Sequence, residues 1–265
     1  MKKGKPSKAT VVSASLVTPN MQQIVFQSES FADFPDECEG GYIKLMFNKE
    51  GGVDLSSLEE GSRPFMRTYT IKKFNKAEKS IEVQFVRHIT ESPEGGFACN
   101  WAFEAQKGDS ISIAGPGIIQ GLNHDADWFF LVADMTALPA MSVKLKNLPA
   151  GAKGYAVVEV NSADDKQTLE APEGIEIEWL IKDDESAIAD VAKGKKWLDG
   201  EASVWSACEF DSMRSLREYF RNERDVQRGN SYISSYWKNG VTEDGHKVIK
   251  RKDAEEQESG NQGLS

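Results

Sequence analysis

Cysteine and histidine are scarce in this sequence, long apolar runs are missing, and positive charge falls short of negative. The three cysteines, Cys38, Cys99 and Cys208, lie far apart and form no Cys-x-x-Cys pair. So sparse and odd a set builds no disulfide framework and reads as a protein of a reducing compartment. The three histidines, His88, His124 and His246, fall at no metal-ligand spacing, which argues against a dedicated zinc or non-haem iron site. No apolar stretch approaches the length of a membrane span. The start, Met1 to Lys8, is basic like the head of a secretory signal, but Ala9–Thr18 behind it is strand-like and no signal core. A cytoplasmic protein without a membrane partner is therefore expected. Lys and Arg number 32 against 42 Asp and Glu, a formal charge of −10. General nucleic-acid binding needs a basic footprint and is not expected. A local basic pocket is compatible with that sum.

What is present is ordinary for a globular protein: 28% charged and 39% hydrophobic residues in a chain of 265. At roughly 100–200 residues per domain, this is one large domain or two ordinary ones, with ample chain for a core. The first half reads as strands: Thr10–Thr18, Gln22–Ser28, Gly41–Phe47, Met66–Phe74, Ser80–His88 and Ser110–Ala114. They are short, rich in Val, Ile, Phe and Tyr, and bounded by turn residues. Within Ser80–Arg87, Ile81, Val83 and Phe85 share one face, and Glu82 and Gln84 the other. This predicts an antiparallel barrel or sandwich, interrupted by one helix near Asn100–Gln106. The second half alternates. Strands are expected at Trp128–Ala133, Tyr155–Val160, Ile175–Ile181 and Ser203–Ala207, and helices at Ala137–Asn147, Ser186–Trp197 and Ser212–Arg224. That order implies a parallel sheet covered by helices. The expected fold class is thus an antiparallel β-barrel followed by a parallel-sheet α/β domain, with units at 1–120, 128–231 and 232–265. The last unit holds a strand at Tyr232–Trp237, a basic then acidic tract from Lys247 to Glu258 that reads as a short surface helix, and a disordered end from Ser259.

A barrel followed by an α/β unit is a layout in which one domain holds a flavin and the next a nicotinamide nucleotide. Arg67-Thr68-Tyr69-Thr70 sharpens that reading. On a strand Arg67 and Tyr69 share a face, where the Arg can neutralise a diphosphate and the Tyr can cover a flat ring. Thr68 and Thr70 lie on the other face. An ordinary barrel strand would carry the same four residues. His88 closes the next strand, and Gly95-Gly96 leads into Ala98, Asn100 and Trp101 at a helix start, where backbone N–H groups can meet a phosphate. A plain turn and a core tryptophan would read alike.

Together these pieces resemble one family, the siderophore-interacting proteins, flavin-dependent ferric-siderophore reductases of the ferredoxin-reductase-like superfamily. The resemblance covers nearly the whole chain. It rests on Arg67–Thr70, the His88 strand end, Gly95–Ala102, Gly108-Asp109 with Ala114-Gly115-Pro116, Val132–Ala140, Val204–Glu209 and Ser235–Gly240. It implies an FAD held by Arg67, Thr68, Tyr69, Thr70, His88, Gly95, Gly96, Ala98, Asn100 and Trp101. It implies a nicotinamide nucleotide near Asp134, Thr136, Ala137 and Glu209, and reduction of siderophore-bound Fe(III) to Fe(II). The reduction weakens a complex built on hard anionic oxygens; the electron chemistry is the flavin's, and no catalytic acid or base is needed.

A ferric siderophore is a large anion. Lys44, Trp237, Lys247, Lys250 and Arg251, with Lys252 beside them, are the candidate contacts, because the tail concentrates positive charge. Two departures from the family pattern bear on the electron donor. Cys208 stands where the family has a glycine, and either crowds the nucleotide or is a small buried residue. Asn161–Asp165 after the second parallel strand is acidic and repels a 2′-phosphate. NADH is expected over NADPH, with a ferredoxin as another donor, and the protein is expected to be a monomer. Another flavin reductase of the superfamily and a non-enzymatic siderophore-binding protein are the alternatives.

Overall fold

The computed structural model describes residues 6–56, 58, 61–87, 96–119, 121–182 and 187–262, the last five of these by backbone alone. The chain forms two sheets. Seven antiparallel strands make the first: β1 (Ser7–Thr18), β2 (Met21–Gln27), β3 (Tyr42–Phe47), β4 (Phe65–Thr70), β5 (Lys73–Asn75), β6 (Ser80–Val86) and β7 (Ser110–Gly117). Their order is β4-β3-β7-β1-β2-β6-β5. The sequence predicts one strand over Met66–Phe74; the structure breaks it at Ile71-Lys72. There the chain changes partner: Ile71 N–H donates to Gly41 beside β3, and Lys72 N–H to Glu82 on β6. One short corner therefore touches both edges of the sheet and curls it into a barrel. Inside lie Ile24, Phe26, Ile43, Leu45, Phe47, Ile81, Val83 and Phe85, the alternating positions of paired strands. A helix, α1 (Phe97–Glu104), plugs one end with Ala98 and Ala102. It starts three residues earlier than expected, directly after Gly96.

The second sheet is parallel, from β8 (Trp128–Ala133), β9 (Lys153–Val160), β10 (Gly174–Ile181), β11 (Ala202–Glu209) and β12 (Ser231–Trp237), in the order β10-β9-β8-β11-β12. All six residues of β8 are buried, as its apolar run demands. Gly154 runs so close to β8 that a Cβ would collide with the Phe129 carbonyl, and its φ of +138° also calls for glycine. One face of the sheet is covered by α2 (Leu138–Lys146), the other by α3 (Ile188–Lys193) and α4 (Phe210–Arg217). α3 is shorter than predicted, stopping at Gly194; Ser186 lies outside the described residues. α4 starts earlier than predicted because the Glu209 carboxylate caps it, and from Glu218 to Glu223 it widens into a π turn.

The last helix, α5 (Glu243–Gln262), is longer than the short helix expected, and its backbone continues through the segment expected to be disordered as far as Gln262. It also starts earlier, so Glu243 and Asp244 occupy the first turn, where the macrodipole favours acids. The sheets meet through Met21 and Val86 of the barrel, which pack with Leu131, Met135 and Leu138. Beside this contact, buried Asp165 accepts from Thr18 Oγ1 (2.8 Å), Asn20 N–H (3.0 Å) and Asn20 Nδ2 (2.8 Å) across the junction. Among the described residues no helix is long and apolar enough to cross a membrane.

Candidate functional site

Strand β4 carries Arg67 to the mouth of the barrel. Its residue is only 5% exposed. The guanidinium lies 5.8 Å from the centroids of both Phe65 and Phe97, the latter the first residue of α1. Its charge is answered from α5: Nη1 meets Asp244 Oδ2 at 3.2 Å, and Nε lies 3.9 Å from Glu243 Oε2. Arg67 Nη1 also donates to the Met66 carbonyl. Thr68, on the opposite face, is exposed and donates to Glu243 at 3.2 Å. Two carboxylates therefore gather around one buried arginine at the head of a helix whose cap, Gly96, has no side chain. Guanidinium, aromatic rings and helix N-terminus suit a diphosphate in the place of those carboxylates. Burial disfavours ionised Asp244, but Lys247 and Arg67 outweigh it and hold its carboxyl below the usual range.

Tyr69 shares the Arg67 face as alternation predicts. Its ring packs 4.3 Å from that of Phe85, and burial, with Cys99 and Glu243 nearby, raises its phenol well above the ordinary value. Thr70 is buried opposite Tyr42. Ala98 is buried in the barrel core and Asn100 is exposed. Trp101 does not face an anion site: it stacks on Phe26 at 5.9 Å with ring planes 8° apart, as core. His88 and Gly95 lie outside the described residues.

The parallel sheet reverses its order between β8 and β11, and such a switch point opens a crevice at the strand C-termini. Asp134, Thr136 and Ala137 follow β8 there, and Glu209 ends β11. Asp134 is buried and already committed. Its Oδ1 accepts from Thr136 N–H (2.9 Å) and Thr136 Oγ1 (2.5 Å), and its Oδ2 from the Trp237 indole N–H (2.7 Å). Burial raises its pKa against those bonds. Glu209 is occupied as well, accepting from Asp211 N–H, Ser212 N–H and Asn239 N–H. Both acids thus brace the crevice and leave backbone to line it. Trp237 is held by Asp134, with Lys182 Nζ 5.0 Å from its ring.

Cys208 is fully buried among the residues on the α4 side, and burial pushes its thiol well up. It therefore packs in the core, as a small buried residue. Asp165 also leaves the acidic loop, turned to the barrel; Asp164 remains exposed.

The tail cations diverge. Lys44 pairs across the ladder with Thr68. Lys247 reaches Glu243 (3.3 Å), Asp244 (3.0 Å) and the Met66 carbonyl (3.5 Å), and so lies beside β4. Lys250 points the other way, to Ser234 Oγ (2.6 Å) and the Ser235 carbonyl (3.0 Å). Arg251 is solvent-exposed beside Glu255, and Lys252 beside Glu256. Lys250 and Arg251 are thus not gathered with Lys247, because successive helix positions face different ways. Sequence reasoning missed Phe97, Glu243 and Asp244. The acid pair ahead of an amphipathic run signals a helix start, but nothing local links it to a residue 177 positions earlier.

An antiparallel barrel followed by this parallel sheet is the two-domain fold of the ferredoxin-reductase-like flavoproteins. Within that class, residues 10–119 match the siderophore-interacting FAD-binding domain and residues 126–240 match the siderophore-interacting protein pattern. The chain is 30% identical over 243 residues to the ferric vibriobactin reductase ViuB of Vibrio cholerae, covering 87% of this chain and 88% of that one. It is 27% identical to the NADPH-dependent ferric-chelate reductase of Escherichia coli, covering 86% and 91%. Among solved structures, the siderophore-interacting protein SipS from Aeromonas hydrophila superposes with a TM-score of 0.83 at 27% identity, covering 95% and 98%. The chain belongs to the siderophore-interacting protein family.

Proposed function

We propose that this protein is a flavin-dependent ferric-siderophore reductase. The observation that carries the reading is Arg67: buried, flanked by two aromatic rings at the head of α1, and neutralised by carboxylates where a diphosphate would sit. Arg67 and the start of α1 take the FAD diphosphate, and Tyr69, packed on Phe85 at the barrel core, backs that site. When bound, the flavin accepts an electron pair and delivers single electrons, chemistry no side chain here supplies. The chain's own part is to hold that ring beside the switch-point crevice, where Asp134 fixes Thr136 and Trp237. Lys44 and Lys247 offer positive charge to an anionic ferric chelate on the outer side of β4.

The donor is a nicotinamide nucleotide, NADH ahead of NADPH because Asp164 stays exposed after β9. With Asp165 turned to the barrel and Lys182 beside Val160, that preference is small. The case for a ferredoxin rested on Cys208 and on the acidic loop after β9; the core position of Cys208 weighs against a block to the nucleotide, and so against the ferredoxin and non-enzymatic alternatives.

The test is a visible spectrum followed by turnover. Purified protein, reconstituted with FAD, should show flavin bands at roughly 380 and 450 nm. Under anaerobic conditions it should pass electrons from NADH to a ferric catecholate, two Fe(II) trapped for each NADH consumed. A protein that takes up no FAD, or one that reduces free flavins but no ferric chelate, overturns the reading.

A further inference from the structure

Between α4, β12 and α5 lies a cavity of about 200 Å3 whose charged lining is Arg217, Arg221, Arg228, Lys250 and Asp253. Four cations face one carboxylate, in a chain whose formal charge is −10. That carboxylate is already used: Arg217 donates to both oxygens of Asp253, at 2.6 and 2.8 Å. Among the described residues Lys250 finds neutral acceptors, Ser234 Oγ and the Ser235 carbonyl, and burial lowers its pKa. Arg221 is the sharpest signal. Its Nε is buried with no acceptor among the described residues, and burial, then Arg228 and Arg217, disfavour its charge. It sits on the π turn Glu218–Glu223, a distortion frequent at ligand sites. A half-buried group of like charges with an orphaned donor is unfavourable unless an anion completes it.

We propose that this cavity binds a phosphate group, as inorganic phosphate or a small phosphate monoester. A dianion matches the unanswered charge better than a single carboxylate does. The guanidinium fork suits phosphate oxygens, and the volume leaves room beyond the phosphate for a small organic group. The site is distinct from the Arg67 mouth. It lies on the α4 side of the parallel sheet, walled by Lys250 and Asp253 on α5. A bound phosphate would tie α5 to α4, and the inference does not depend on the flavin reading.

Calorimetric titration of the full chain with inorganic phosphate and with glycerol 3-phosphate, at constant ionic strength against a chloride control, tests it. One-to-one saturable binding of either is expected, and the tighter of the two identifies the source. Arg221→Gln and Arg228→Gln should each weaken it about tenfold, the loss for one charge-assisted bond, with ferric-chelate turnover unchanged. Arg228 is exposed, so its variant remains informative if Arg221→Gln fails to fold. No saturable binding of either ligand, or an unchanged affinity in the folded variants, overturns the proposal.

Discussion

Arg67 is the residue on which the cofactor reading turns. Its sequence context gives a strand, a face and the Phe65 ring; the second ring and the two carboxylates come from two other segments of chain, α1 and α5. Arg67→Ala should reduce FAD affinity by about ten- to a hundredfold, the range for losing a charge-assisted, bidentate contact. Quenching of flavin fluorescence on titrating FAD into apoprotein measures it. Arg67→Lys should recover only part, since an ammonium lacks the planar fork. The strand and face of this residue were legible in advance, because alternation on a strand is local. Trp101 was not. A tryptophan at a helix start serves a ligand or a core equally well, and only the position of Phe26 opposite it decides for the core.

At the scale of elements, α5 matters most. Its first turn is clamped to the barrel through Glu243 and Asp244, and then to β12 through His246 Nε2 and Ser235 Oγ (2.8 Å); its third turn is clamped to α4 through Asp253. On the proposed reading, a diphosphate bound at Arg67 displaces the first clamp. The double variant Glu243→Gln, Asp244→Asn should therefore bind FAD faster and tighter, read by stopped-flow fluorescence; slower binding would show that the acids assist instead.

The second clamp is sensitive to pH. Burial, then Lys250, Lys238 and Lys247, lower the His246 pKa from 6.5 to about 4, and the ring packs edge-on to Phe210. The unfolded segment therefore binds the proton more readily, and docking stability falls as pH drops from 6.5 towards 4. Protection factors of α5 amides, taken relative to intrinsic exchange at each pH, should fall across that interval and stay flat in His246→Gln. The length of α5 was poorly legible: a basic run followed by an acidic run reads as solvated tail, and its inward contacts lie on other elements. Strands fared better, because β-branched and aromatic alternation is local. The exception, Met66–Phe74, failed where a barrel corner interrupts an unbroken β pattern.

For the whole molecule, Asp165 joins the two sheets. Burial opposes its ionisation, but bonds from Asn20, Thr18 and Ser162 outweigh that and hold its pKa below 3.8. Its contribution is therefore complete above that value and is lost as pH falls through the folded-state pKa. Asp165→Ala leaves several buried donors without an acceptor and should cost about 3 kcal/mol. The loss should appear in urea denaturation as a lower midpoint, or as separate transitions for barrel and α/β unit. An unchanged single transition would place the coupling in the Met21–Val86 apolar contact alone.

The sequence by itself determined the strand-rich first half, the alternating second half, the Arg67–Thr70 ribbon and the family pattern. Each of these is a matter of local periodicity and residue type, which neighbouring side chains enforce. Tertiary structure alone decided that Cys208 packs inward, that Asp165 serves the domain junction, that Lys250 leaves the chelate side for a cationic cavity, and that two tail carboxylates sit on Arg67. Those outcomes depend on which distant groups share a dry space, where an unpaired charge is costly, and no window along the chain contains both partners.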